Sequence, residues 1–241
     1  MMPVIKRRHV LLTGLTLLSS LAAASTSVRA ADSLPTIGVI GSGHVAGTLG
    51  SLWVKAGYHV MFSARSLTDA QKLASSLGPN ASAGTPEEAA RFGTVVLLAV
   101  PYRAIPDVGQ KLVPLLRGKT VLDATNFYPF RDGSIASVAD RDGAGLTTQH
   151  YFPGAHVVRG FNSIDMSVLA SEADRSSPRL AIPVAGDDPA SVQRVEELVK
   201  AAGFDPVTTG PLSSSVLFQP GHPGFEMQTD VAGLKSGLGL R

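Results

Sequence analysis

The stretch from Thr36 to Ser66 narrows the choice of fold for this 241-residue chain more than any other. It opens on a short apolar run, Thr36–Ile40, and turns through Gly41-Ser42-Gly43-His44-Val45-Ala46. An amphipathic segment follows, then a second apolar run, Val60–Phe62, that ends in Ser63-Ala64-Arg65-Ser66. That order predicts the first strand, turn, helix and second strand of a dinucleotide-binding fold. Each small residue has a physical role. Gly41 permits a tight turn, Gly43 lets backbone N–H groups approach a pyrophosphate, and Ala46 allows close packing of helix on strand. The start of the helix then turns the positive end of its dipole toward the phosphates. A glycine triplet by itself is a weak signal. The strand before it, the helix after it and the second strand on schedule give it weight.

The end of the second strand bears on which dinucleotide is bound. An NAD site usually places Asp or Glu there, to accept from the ribose 2′-hydroxyl. No acid stands at that point in this chain. Arg65, flanked by the hydroxyls of Ser63 and Ser66, suits a 2′-phosphate instead. The competing reading is a solvated surface arginine.

Residues 1–30 read as a targeting segment rather than as part of the fold. Lys6-Arg7-Arg8 opens a basic region, the apolar stretch Val10–Ala24 follows, and Val28-Arg29-Ala30 offers a small-residue cleavage site. The paired arginines resemble a twin-arginine export signal. An ordinary secretory signal or an uncleaved anchor are the alternatives, although the apolar stretch is short for a span of about 20 residues. The twin-arginine route carries folded proteins, so a cofactor would be loaded before export. The expected location is periplasmic or secreted, with no stable membrane insertion once the signal is removed. The chain's net charge is +2, and residues 1–30 hold four of its basic residues (Lys6, Arg7, Arg8, Arg29) and no acid, so the remainder carries −2. The basic character belongs mainly to the signal, and a nucleic-acid partner loses its support. The chain has no cysteine, which excludes disulfides, thiolate catalysis and cysteine-based zinc sites.

Beyond the first unit, apolar runs alternate with helical segments. The predicted elements include a helix over 67–77, a short strand over 81–84, a helix opening at Thr85-Pro86-Glu87-Glu88, and a fully apolar strand over 94–100. Further strands are expected at 120–124, 156–160, 180–185 and 205–208. The segment between 124 and 156 reads as irregular. Pro183 suggests a bulge or an edge in its strand. The fold class that follows is α/β, a doubly wound, largely parallel Rossmann sheet with a small C-terminal α/β lobe. The expected divisions are a coenzyme-binding domain over 36–160, an acceptor lobe over 161–220 and a loosely ordered tail over 221–241.

In an open α/β sheet, ligands lie across the carboxyl ends of the strands. Three clusters fall there: Val100-Pro101-Tyr102, Thr125-Asn126-Phe127-Tyr128 and Phe161-Asn162-Ser163-Ile164. Asn126 and Asn162 are either hydrogen-bonding site residues or turn residues. Tyr102 and Phe127 read as ordinary packing. No catalytic residue and no metal ligand set is assigned. The chain has no Tyr-x-x-x-Lys, Lys-x-x-x-Asn, Gly-x-Ser-x-Gly or His-Glu-x-x-His, and its six histidines are scattered. Carbonyl reduction needs a proton donor beside the oxygen, whereas hydride passage between two planar rings chiefly needs alignment.

The motifs together carry a resemblance. Ile40-Gly-Ser-Gly-His-Val, Ser63-Ala-Arg-Ser, Ala99-Val-Pro-Tyr, Asp123-Ala-Thr-Asn, Arg159-Gly-Phe-Asn-Ser-Ile, Val184-Ala-Gly-Asp-Asp and Thr209-Gly-Pro-Leu-Ser-Ser occur in order along 36–220. In these the chain resembles the NADPH-dependent oxidoreductases that exchange hydride with the deazaflavin coenzyme F420, and the related reductase domain of six-transmembrane ferric reductases. The resemblance implies that Gly41, Ser42, Gly43, His44 and Val45 meet the pyrophosphate. It implies that Arg65, with Ser63 or Ser66, holds the 2′-phosphate. Val100, Pro101 and Asn126 would line the nicotinamide end, and Phe161, Asn162 and Ser163 would face the electron partner. Implied cofactors are NADP, with flavin or deazaflavin as co-substrate, and the implied partner is a small-molecule redox acceptor. A homodimer is compatible with this. The chain departs from the family at Ala64, where Ser or Thr is common, and at Asp69, where some members are basic. Those departures leave NAD open. The rival from another class is an exported dinucleotide-binding protein without turnover, a sensor or scaffold.

Overall fold

Eight short strands pair into one sheet. They are β1 (Ile37–Ile40), β2 (Val60–Ser63), β3 (Ala81–Gly84), β4 (Val95–Leu98), β5 (Thr120–Asp123), β6 (His156–Arg159), β7 (Ala181–Gly186) and β8 (Asp205–Gly210). This computed structural model describes Met1 and residues 34–240. The expected export signal lies outside the described residues, apart from Met1. The strand order is β3-β2-β1-β4-β5-β6-β7-β8. All neighbours run parallel except β6 and β7. The chain reverses its direction of travel across the sheet between β1 and β4, which opens a crevice at their carboxyl ends. Both strands are buried along their whole length, as parallel strands covered on both faces must be.

Helices cover the two faces. Helices α1 (His44–Lys55), α2 (Leu67–Ser75), α8 (Met166–Glu172) and α9 (Pro189–Ala201) share a core built on Trp53, Phe62, Phe161 and Phe204. Helices α3 (Pro86–Phe92), α4 (Ile105–Leu116), α6 (Ser134–Asp142) and α7 (Ala144–Tyr151) share the other, around Tyr102, Leu112 and Phe152. In α1 the buried positions are Ala46, Leu49, Gly50 and Trp53, the spacing of one helical stripe. The Trp53 indole, wholly buried, donates to the Leu198 carbonyl at 2.9 Å and ties α1 to α9. None of the helices among the described residues is long and apolar enough to cross a membrane.

The structure corrects the sequence reading in three places. The segment after β5 is helical rather than irregular: it folds as α5 (Pro129–Asp132), α6 and α7. Gly133 and Gly143, at φ +64° and +90°, break it into pieces too short to show a clear periodicity. Residues 161–220 form no separate lobe, because β7 and β8 extend the same sheet. The stretch after 220 is not loose. It ends in α10 (Val231–Gly237), whose Leu234 is wholly buried against Ala181 and Val207. The Ala181 N–H donates to the Thr229 carbonyl at 2.8 Å and anchors the same stretch. Pro183 behaves as expected. The register slips between Val184 and Ala185, and β6 pairs only with Ala185 and Gly186, so the missing N–H costs no ladder bond on that side.

Leu234→Ala is expected to destabilise the fold by about 2–4 kcal/mol, the range for a buried leucine. Urea unfolding of the variant checks this; a loss below about 0.5 kcal/mol, typical of a surface site, would mean that the C-terminal stretch is not part of the core.

Candidate functional site

At the end of β1 the backbone passes hard against β4. Gly41 sits at φ +128°, and a Cβ there would lie 2.3 Å from the Ala99 carbonyl oxygen. Only glycine fits that turn. Its N–H donates to the Ser63 carbonyl at 3.0 Å and fixes the turn to β2. Gly43 then serves as the N-cap of α1, and a Cβ there would meet nothing within 4 Å. The space above it is open.

Ser66, Thr85, Asp165, Asp188 and Asp230 cap α2, α3, α8, α9 and α10 with their side chains. Helix α1, like α4, α5, α6 and α7, has no side-chain cap, and like α6 and α7 it has no acid in its first turn. Its first-turn N–H groups therefore lack an intrahelical acceptor and point toward the strand ends with the positive end of the dipole. Ser42 and Val45 are half-buried around this opening, and Gly43 and His44 are exposed. A tight glycine turn, an open cradle and uncapped donors together fit a diphosphate.

Arg65 stands two residues beyond β2, exposed, and no ion pair engages it among the described residues. Ser66 is also exposed and caps α2 by accepting from the Asp69 N–H at 3.4 Å. Ser63 is a correction. Its side chain is wholly buried and its hydroxyl donates to the Val39 carbonyl at 2.7 Å. The strand runs one residue further than expected and turns that hydroxyl into the sheet, so Ser66 is the hydroxyl left beside Arg65.

The other end of the crevice is built on a buried ion pair. Arg159 Nη1 donates to Asp123 Oδ2 at 2.9 Å and to the Thr125 carbonyl at 2.7 Å. Asp123 Oδ1 accepts from the Thr125 N–H at 2.9 Å and from its hydroxyl at 2.6 Å. Both charged side chains are fully excluded from solvent. Sequence reasoning missed this pair. The available signal was an acid closing one buried run and an arginine closing the next, which β5–β6 pairing brings into register. Tyr102 packs edge to face on Phe127 and donates its hydroxyl to the Ala144 carbonyl at 2.7 Å. Burial pushes its phenol pKa well up.

The two asparagines bind each other. Asn126 Nδ2 donates to the Asn162 carbonyl at 2.6 Å, and Asn162 Nδ2 donates to Asn126 Oδ1 at 3.3 Å and to the Phe218 carbonyl at 2.9 Å. Asn126 is half-buried beside half-buried Val100 and exposed Pro101 at the strand ends. The residues expected to face the electron partner do not do so. Phe161 takes φ +62°, and its ring packs into the core against Trp53 at 6.0 Å and Phe204 at 6.4 Å. Phe161, Asn162 and Ser163 are 2%, 3% and 4% exposed. The Ser163 carbonyl accepts from the Glu226 N–H at 2.8 Å, so the C-terminal stretch roofs this loop.

Beside Asn126 stands a second missed group, Asp132. Its carboxylate accepts from the Tyr128 N–H at 2.8 Å, the Arg103 N–H at 3.1 Å and the Arg131 guanidinium at 2.8 Å. Arg131 Nη2 also donates to the Asn126 carbonyl at 2.6 Å. Burial pushes the Asp132 carboxyl up, but Arg131 and the two N–H donors outweigh it and hold the pKa below the usual carboxylate value.

Residues 36–127 match the family model described as NADP oxidoreductase, coenzyme F420-dependent. The matched segment runs from Thr36, just before β1, through Phe127 and includes the glycine turn, Arg65, Val100 and Asn126. Mouse metalloreductase STEAP2 is 29% identical over 186 residues, 75% of this chain and 34% of the mouse protein. The chain therefore spans about a third of the length of such curated relatives. A hypothetical protein from Sinorhizobium meliloti superposes with TM-score 0.70 at 26% identity, covering 81% of this chain and 95% of that one. A candidate F420-dependent NADP reductase from Arthrobacter sp. shares the fold, with TM-score 0.66 at 21% identity, over 76% of this chain and 87% of that one.

Asp132→Ala is expected to cost about 2–3 kcal/mol at neutral pH, somewhat under the figure for breaking a fully buried pair because Arg131 is partly solvated. The depressed carboxyl contributes its stability above the unfolded value of about 3.9 and loses it as pH falls through the folded value. Unfolding free energies between acid and neutral pH should show a shallower acid limb in the variant.

Proposed function

We propose that this chain is an NADPH-dependent oxidoreductase that passes hydride to a planar flavin or deazaflavin acceptor. The observation that carries it is the uncapped N-terminus of α1 over the Gly41–Gly43 turn, with the free Arg65 guanidinium at the end of the neighbouring strand. The turn and first-turn N–H groups seat the diphosphate. Arg65, with Ser66, takes the 2′-phosphate and so prefers NADPH over NADH. Val100, Pro101 and Asn126 hold the nicotinamide end. A reduced coenzyme held there would supply the hydride, which reduces the acceptor together with one proton from solvent and leaves the coenzyme in its oxidised form.

The protein's part is alignment and exclusion of water. Tyr102 has its hydroxyl proton engaged with the Ala144 carbonyl and a raised pKa, so it does not serve as the acid a carbonyl substrate needs. Two planar rings held face to face need no such acid. The basic segment Lys6-Arg7-Arg8 supports twin-arginine export of the loaded protein to the periplasm or beyond.

Arg65→Ala is expected to weaken NADPH binding by about 1.5–3 kcal/mol, the size of a hydrogen bond to a charged group, and to leave NADH binding unchanged. Calorimetry with both coenzymes decides it, since equal loss for the two would refute the 2′-phosphate contact. The purified protein should also oxidise NADPH when riboflavin or a deazaflavin is supplied. NADPH binding without oxidation by either acceptor would mark it as a binding protein without turnover.

A further inference from the structure

We propose that Tyr128 and Phe130 form a stacking ledge for the planar ring of the acceptor, a flavin or its deaza analogue. This deepens, and rests on, the hydride-transfer function proposed above. Phe161, Asn162 and Ser163 are roofed by the C-terminal stretch, so the acceptor must meet another surface at the carboxyl ends of the strands. Helix α5 provides one. It begins at Pro129, three residues after Asn126. Its Phe130 is 89% exposed, the most exposed large apolar side chain among residues 34–240.

A lone exposed apolar residue needs no explanation. This one is different because it stacks on a second aromatic ring, in a turn anchored by a buried carboxylate. The Phe130 and Tyr128 rings stack at 5.6 Å between centroids with a 29° interplanar angle. The Arg131 guanidinium lies 4.8 Å from the Tyr128 ring centroid. The Asp132 carboxylate, 5% exposed as a residue, is committed to this turn through Tyr128, Arg103 and Arg131. A buried carboxylate is a costly anchor, and what it anchors here is an outward-facing aromatic pair. Arg131 connects the pair directly to the Asn126 carbonyl. The Asn126–Asn162 bridge ends in a buried acceptor, Asn162 Oδ1, without a partner among the described residues.

The chemistry of the ledge selects its occupant. An exposed aromatic face takes the face of another planar ring, in an offset stack. Burial pushes the Tyr128 phenol pKa up; the Arg131 guanidinium opposes this, and the Glu226 and Asp165 carboxylates add to it.

The probe is riboflavin, titrated into the full-length protein with NADP present and followed by quenching of flavin fluorescence. Phe130→Ala is expected to weaken riboflavin binding about three- to tenfold, Phe130→Trp to restore it, and Phe130→Leu to leave it weak. NADP affinity should be equal in all four proteins, and Phe130 is too exposed for these changes to unfold the chain. Riboflavin affinity unchanged in Phe130→Ala would overturn the ledge, and so would a wild-type protein that does not quench flavin fluorescence. Quenching that depends on Phe130, in a protein that never oxidises NADPH, would support the ledge and refute hydride transfer.

Discussion

The pairing of Arg159 with Asp123 is the constraint on which the crevice depends. Both groups lie at the centre of the sheet, fully shielded from water, where each isolated charge would be several kcal/mol out of place. Part of the cost is offset because the partners do more than neutralise each other, although Arg159 Nε and Nη2 are buried without a partner among the described residues. One guanidinium nitrogen reaches both the carboxylate and the Thr125 carbonyl, and the other carboxylate oxygen takes the Thr125 N–H and hydroxyl. The loop leaving β5 is thereby closed into a rigid ring. Asn126 emerges from that ring in a fixed direction, and its bond to Asn162 ties the loop leaving β6 to the same frame.

The coenzyme end follows the opposite logic. Five of the helices satisfy their first turn with a side chain, while α1 leaves its donors open. A cap is worth about 1 kcal/mol, so the omission gives up stability directly above the glycine turn. Gly41 has a similar cost, since glycine gives up more chain freedom on folding than any other residue. Local sacrifices of this kind, grouped at one place, distinguish a ligand seat from ordinary packing.

Much of this was legible in the sequence. The first β–α–β unit reads correctly to within about two residues because its signals are local: glycine at a turn, an apolar stripe, a run buried on both faces. The start of α3 is equally plain. Thr85 and Glu88 form the reciprocal capping box that Thr-Pro-Glu-Glu announces, with bonds of 2.7 and 3.1 Å. What failed to show was non-local. Phe161 looks like a cleft residue by position, but its left-handed backbone swings the ring into the core, and nothing in the neighbouring residues announces that conformation. Ser63 faces inward because β2 runs one residue longer than its apolar run. Nothing in the sequence signals that Asp132 is buried: besides its neighbour Arg131 in α5, it is held by the Arg103 N–H, from the turn after β4. The helices after β5 are too short and too polar for periodicity to reveal them.

The reversed strand β7 has a consequence for how such a molecule can diversify. Because it runs against β6, its beginning rather than its end lies on the ligand side, and the polypeptide that follows β8 returns there to rest on Ala181 and Ser163. The carboxyl ends of the strands are therefore framed by residues 221–240, far in sequence from the glycine turn. Changes in that segment would reshape one side of the crevice while the turn between β1 and α1 stays as it is.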